Sequence, residues 1–335
     1  MRTMLACLLL SAPVASASDG TQPCEQNAAL RYWMALAQME NPDAPSDLAA
    51  QLEKVAQGQA PWDTSLAPFV ERNRDALATM QRGSRLKYCD WGLEWELGSE
   101  TPVAQIPRLR ALSRLNVLYG MHLLHQGRST DAAHAWIAGL TFSRHIAVGT
   151  PLLGALMASA SLRSHLRAIE QAVIDKRLKG PTARMVERAV AALPEDGFDW
   201  GESLRVELTG VIVEMTRMES AEDPLAMLRR DFEPKDDKAL AGALGLAPDQ
   251  LNKREGVLAA LRRSRSSAEA MRPKVVSAFR LPLDRSTATL RELEVAGRQD
   301  PLLAQALPSF VRADQEARGG VAKARAELLA LLRTR

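Results

Sequence analysis

Apolar residues recur at every third and fourth position through most of this chain, the spacing that puts one stripe on one face of an α-helix. In 24–41, Ala29, Tyr32, Trp33, Leu36 and Met39 form such a stripe, ended by Asn41-Pro-Asp-Ala-Pro. Ser46 or Asp47 then caps a second helix carrying Leu48, Leu52 and Val55. A third carries Phe69, Val70, Leu77 and Met80 and stops at Gly83. From Pro107 to Gly127 and from Ser129 to about Ile146 the pattern predicts two helices joined by a tight turn. Small residues such as Gly120, Ala132 and Ala133 sit where the two would touch, and Gly127 makes the turn. Thr150-Pro151 reads as an N-cap followed by proline at the first helical position, opening a helix to Lys179 of about 28 residues, or about 42 Å. Further helices follow at 185–193 and 200–218.

The signal weakens over 219–298, with short runs predicted at 238–246 and 248–262. Val275, Val276 and Phe279, between Pro273 and Pro282, predict an extended 271–283 instead of a helix. A last helix is expected from Pro308 to Arg333, kinked or broken at Gly319-Gly320, with Leu328, Leu329, Leu331 and Leu332 docking on the core.

The expected class is therefore all-α: about ten helices packed as irregular hairpins in a curved, tetratricopeptide-like arrangement. Low aromatic content, 4%, with abundant Ala, Leu and Arg agrees, since strands favour β-branched and aromatic residues. The organisation expected is a signal peptide over 1–17, a main helical domain over 18–220 and a C-terminal helical region over 221–335 packed on it. Arg2, the apolar run 5–14 and Ala15-Ser16-Ala17 have the layout of a cleavable secretory signal. That layout implies an exported protein, periplasmic or extracellular. Beyond it, no stretch reads as an integral membrane segment.

Cleavage leaves two cysteines, Cys24 and Cys89. An even pair in an oxidising compartment reads as one disulfide, closing a loop of about 65 residues and contributing about 3–4 kcal/mol. Two separately buried thiols are the competing reading. The charge is unevenly spread. Residues 18–105 hold seven Lys/Arg against thirteen Asp/Glu, and 235–335 hold nineteen against twelve. The near-neutral total gives no reason to expect a nucleic-acid partner. The five basic residues between Arg262 and Lys274 read as a solvated helix face.

The segment 88–102, YCDWGLEWELGSETP, is the least ordinary of the chain. Asp90, Glu94, Glu96 and Glu100 beside Trp91 and Trp95 have the composition of a sugar cleft, in which paired carboxylates move protons and indoles stack on pyranose faces. Trp91 and Trp95 share a face if the segment is helical, while Glu94 and Glu96 share one only if it is extended. The plainer reading is that both indoles plug the core and the acids face water. His122 and His125, three apart on one helix, with His134 and His145 on the next, are the metal candidates. The pattern lacks the glutamate base of His-Glu-x-x-His, and buried or surface histidines are the alternative. No motif calls for a cofactor.

Phe69-x-x-Arg-Asn-x-Asp-Ala-Leu-Ala, Cys89-Asp-Trp-Gly-Leu-Glu-Trp-Glu, Pro107-x-Leu-Arg-Ala-Leu-x-Arg-Leu and the stretch from Asp300 to Arg312 resemble a group of uncharacterised exported bacterial all-helical proteins carrying a Cys-Asp-Trp-Gly segment. The resemblance covers about two-thirds of the chain in patches. It implies a shared all-α fold and brings no activity with it. The functional expectation is a non-enzymatic interaction or scaffold protein of the cell envelope, with a protein or peptide as partner. The rival is a glycan-acting hydrolase or lytic enzyme using Glu94 and Glu96 with Trp91 and Trp95.

Overall fold

The computed structural model describes residues 26–40, 46–101 and 105–334, and they are all-helical, without strands. The N-terminal part comprises α1 (Ala28–Gln38), α2 (Ser46–Ala56), α3 (Ala67–Arg72) and α4 (Arg74–Gly83). The central part comprises α5 (Gln105–His125), α6 (Ser129–Ala147), α7 (Leu152–Ile174), α8 (Gly180–Ala191) and α9 (Trp200–Ser220). The C-terminal part comprises α10 (Pro224–Phe232), α11 (Asp237–Leu244), α12 (Arg254–Phe279), α13 (Leu283–Gly297), α14 (Pro301–Ala306), α15 (Phe310–Arg312) and α16 (Gly319–Arg333). α3 and α4 form one bent helix across Asn73. α15 continues through a π-turn (Ala313–Arg318) into α16. Counted so, the described residues form fourteen helices, more than the ten or so expected.

α5, α6 and α7 pack on one another as the frame. The glycines set how closely they approach. A Cβ on Gly120 would lie 2.1 Å from Trp136 Nε1, and one on Gly139 would lie 2.0 Å from His165 Nε2. Those separations are far inside van der Waals contact, so only glycine lets these helices close. A polar seam runs through their shared interior. Ser143 and Ser161 hydroxyls lie 2.6 Å apart, Ser113 also bonds Ser161, and Asn116 Nδ2 reaches both the Ala135 carbonyl (2.8 Å) and His165 Nε2 (3.1 Å). His165 is fully buried, and its Nδ1 donates to the Ser161 carbonyl at 2.9 Å.

α4 lies on α6 and α1 on α4. At the other end α9 packs along α12, and α16 returns to cover α7 and α8. Buried residues from Ala28 to Leu332 join in one core cluster, so the C-terminal helices share the core of the central ones. A buried charge cluster fastens them. Arg318, 4% exposed, donates to Asp314 Oδ1 (2.9 Å), Asp196 Oδ2 (2.7 Å) and the Leu281 carbonyl (2.6 Å). Asp314, with no exposed surface, also accepts from the Ser286 and Thr287 hydroxyls, each at 2.8 Å.

Four local expectations are corrected. Residues 271–279 are helical, because α12 runs through Pro273 and buries Met271, Val275, Ala278 and Phe279 on one face. Burial of that face outweighs the hydrogen bond proline forfeits. Thr150 does not cap α7. Its hydroxyl donates back to the Ile146 carbonyl, and the Leu152 amide is met by Glu207 of α9 at 3.0 Å. α7 ends at Ile174, with Lys176 in the left-handed region at φ 57°. The last helix passes through Gly319-Gly320 unbroken, and its irregularity is the π-turn just upstream.

Candidate functional site

The 88–101 segment lies between α1 and the C-terminal end of α6. Asn27 organises its entry. Its carboxamide oxygen caps α1 at the Ala29 amide (3.0 Å) and accepts from the Asp90 amide (2.9 Å), while its nitrogen donates to the Asp90 carbonyl (2.8 Å). The Ala28 amide donates to the Tyr88 carbonyl at 2.8 Å, so residues 27 and 88 run as a single parallel bridge. Asp90 spends its carboxylate locally, accepting from the Gly92 amide (3.0 Å) and the Tyr88 hydroxyl (3.1 Å).

Trp91 turns inward. It stacks on Tyr32 with ring centroids 5.7 Å apart, meets Trp33 edge-on at 6.1 Å, and donates its indole N–H to the His145 carbonyl at 2.8 Å. Trp95 is half-buried and donates to the Gly149 carbonyl at 2.8 Å. The two indoles thus bond carbonyls at and just past the end of α6: that of His145, which also accepts from the Val148 amide at 3.2 Å, and that of Gly149. Beyond Trp95 the chain makes a 3₁₀ turn (Trp95–Glu100) in which Gly98 has φ 59°. A Cβ there would meet Glu214 of α9 at 2.8 Å. Glu94 is exposed, and the side chains of Glu96 and Glu100 lie outside the described residues. What the segment brings together is therefore two anchored indoles and a turn-bound aspartate.

Cys89 is buried, its thiol 3.8 Å from the His145 carbonyl, and burial with the neighbouring Asp90 charge pushes it up to about 12. A thiol held protonated in this way is not a nucleophile at neutral pH. Cys24, its expected partner, lies outside the described residues. Near Cys89 the Tyr32 hydroxyl bonds His145 Nδ1 at 2.7 Å, and burial, helped by Arg144, pushes His145 down to about 4.

The structure separates the histidines. His122 is buried, with Nε2 2.8 Å from Glu71 Oε1 and its ring 5.5 Å from that of Trp62, whereas His125 and His134 are exposed. Among the described residues no group of three or more His, Cys, Asp or Glu is placed to hold a metal ion. No described helix is long and apolar enough to cross a membrane.

The feature that periodicity did not isolate is the outer face of α1. Its inner face (Ala28, Ala29, Tyr32, Ala35 and Leu36) is buried, yet Leu30, Trp33, Met34 and Ala37 are exposed at i, i+3, i+4 and i+7. Leu30 is 44%, Trp33 39% and Met34 47% exposed. The helix is apolar nearly all the way round, which ordinarily means burial on every side. Among the described residues only one side is covered. The sequence held this signal in the composition AALRYWMALAQ, whose only polar residues are Arg31 and Gln38.

Compared with family models, with curated proteins and with solved structures, the chain matches none.

Proposed function

We propose that this is a non-enzymatic interaction protein of the cell envelope, and that the outer face of α1 docks an apolar-faced helix of a partner protein. The observation that carries the reading is the row Leu30, Trp33, Met34 and Ala37, which presents to solvent the spacing by which one helix reads another. Trp33 is held edge-on by the buried Trp91, so the anchor is rigid before contact, and little side-chain entropy remains to be lost on binding. Exposed Asp90 and Glu94 lie on the Trp91 side, in the acidic part of the chain, and favour a partner helix flanked by Lys or Arg. The envelope location rests on the signal-like N-terminus. The glycan-hydrolase reading has less to support it: Trp91 faces the core, Trp95 is tied by its indole N–H, and Asp90 is occupied in its turn.

The test is a photo-crosslinking amino acid introduced in cells at position 34, with position 295 on α13 (Val295, 57% exposed) as the matched control. The expected result is a discrete adduct from position 34, none from 295, and loss of that adduct in Leu30→Asp with thermal stability unchanged. Adducts of equal yield at both positions, or none at 34, would overturn the reading.

A further inference from the structure

A second site lies between α7 and the C-terminal part of the chain. A groove of about 460 Å³ runs between α7 and the chain from Pro308 through the π-turn. Leu152, Leu156 and Arg163 form one wall, at i, i+4 and i+11 on one helical face. Pro308, Ala313 and Ala317, with the ion pair Arg312–Glu316 at 3.0 Å, form the other. Leu152 to Arg163 spans eleven residues, about 16 Å of helix. The slot is therefore long, narrow and mostly apolar, and Leu156 at its rim is 38% exposed.

Arg163 stands at one end and is the anomaly. It is half-buried, its Nε is shielded from solvent, and that nitrogen has no hydrogen-bond acceptor in the protein. Burial, with the like charge of Arg167, lowers its pKa. Gly320 of α16 presses on it closely enough that a Cβ would lie 3.0 Å from Nη1. A guanidinium partly withdrawn from water beside another cation is costly, and an anion in the groove that Arg163 lines would offset that cost by pairing with its charge. The π-turn forms part of the opposite wall, and such turns are frequent at functional sites.

We infer that this groove binds a single-chain amphiphile whose carboxylate pairs with Arg163 and whose acyl chain lies along Leu156 and Leu152. Charge complementarity fixes the head, and the apolar walls fix the tail. An acyl chain fits these walls better than a peptide does. They are built largely from α7, α15 and the π-turn, whose backbone groups are spent within the helices, so the amides of a bound peptide would go unpaired.

The experiment is isothermal titration of the whole mature protein with dodecanoate below its micelle concentration, with dodecanol, acetate and an apolar-ended tetrapeptide as comparison probes. Dodecanoate is expected to bind saturably at one site. Arg163→Gln should weaken it at least tenfold while leaving the weaker dodecanol binding within twofold, and Leu156→Glu should abolish both. Thermal melts of the two variants are expected to match wild type. A diazirine-bearing dodecanoate should label peptides from 152–163 or 308–317. The inference is overturned if dodecanoate does not saturate, if Arg163→Gln binds it as well as wild type, if acetate or the tetrapeptide binds as tightly, or if the label falls elsewhere.

Discussion

Replacing Arg318 by Met removes the cation at the centre of the buried cluster that joins the π-turn to α13 and to the loop before α9. Three charge-assisted bonds disappear: to Asp314, to Asp196 and to the Leu281 carbonyl. Asp314 then keeps only the Ser286 and Thr287 hydroxyls as donors, with its carboxylate wholly out of water. Breaking one partner of a buried pair in this way costs about 3–5 kcal/mol, because the stranded charge has lost its compensation. The paired change Arg318→Met with Asp314→Leu removes the stranded charge as well. Ser286 retains its bond to the Leu283 carbonyl at 3.2 Å, and Thr287 is only partly buried, so the double variant should lie within about 2 kcal/mol of wild type. The assay is urea unfolding followed by far- and near-ultraviolet circular dichroism, whose coincidence checks two-state behaviour in a chain of this size. A loss under about 1 kcal/mol for Arg318→Met, or a double variant as unstable as the sum of the two single ones, would refute the reasoning.

Acid should weaken the fold through two of its buried histidines, His145 and His165. An unfolded imidazole takes a proton near 6.5, while burial holds His145 and His165 down to about 4. Their contribution is thus complete above pH 6.5 and is lost as pH falls from 6.5 toward 4. It amounts to about 3 kcal/mol per imidazole. Urea midpoints should fall between pH 7 and 4.5, less steeply in His165→Asn, and equal pH slopes in variant and wild type would count against this. Asn27→Ala removes a helix cap and both side-chain ties to Asp90, so about 1–2 kcal/mol should be lost. Proton exchange at the Asp90 amide should quicken, and an unchanged exchange rate would contradict the assignment. If Cys24 pairs with Cys89, mass spectrometry without reductant will find the two joined and no free thiol, and an alkylatable Cys89 under denaturing conditions would exclude the bridge.

Helicity and the α5–α6 hairpin were legible because each is written locally: a three-and-four spacing, a turn glycine at 127, and small residues at 120, 132 and 133. What was not legible depends on residues distant in sequence. The cap of α7 comes from Glu207, 55 residues beyond the amide it meets, so Thr150, the locally obvious acceptor, misled. Pro273 and the neighbouring valines suggested extended chain, but the face they share with Met271 and Ala278 is buried, and tertiary packing overrode propensity. At the site, the tryptophan pair stood out by composition. Its bonds to the His145 and Gly149 carbonyls follow from a chain reversal that no pattern in 88–102 encodes. The α1 surface was hidden for a different reason. Periodicity placed Trp33 in the packing stripe with Tyr32 and Leu36, but Trp33 is exposed and belongs to a second stripe on the outer face of α1.

The return of α16 onto α7 and α8 has a consequence for the order of events in making the molecule. The longest helix of the frame has one side covered by α16, which leaves the ribosome long after α7 itself, and α9 waits for α12 in the same way. A growing chain can assemble α5 and α6 early, since their contacts are local, yet closure of the common interior must await α16. Truncation within α16 should therefore yield more than a shortened protein with an intact front half. It should yield chains with an uncovered α7, prone to association and to proteolysis, and visible as such during synthesis.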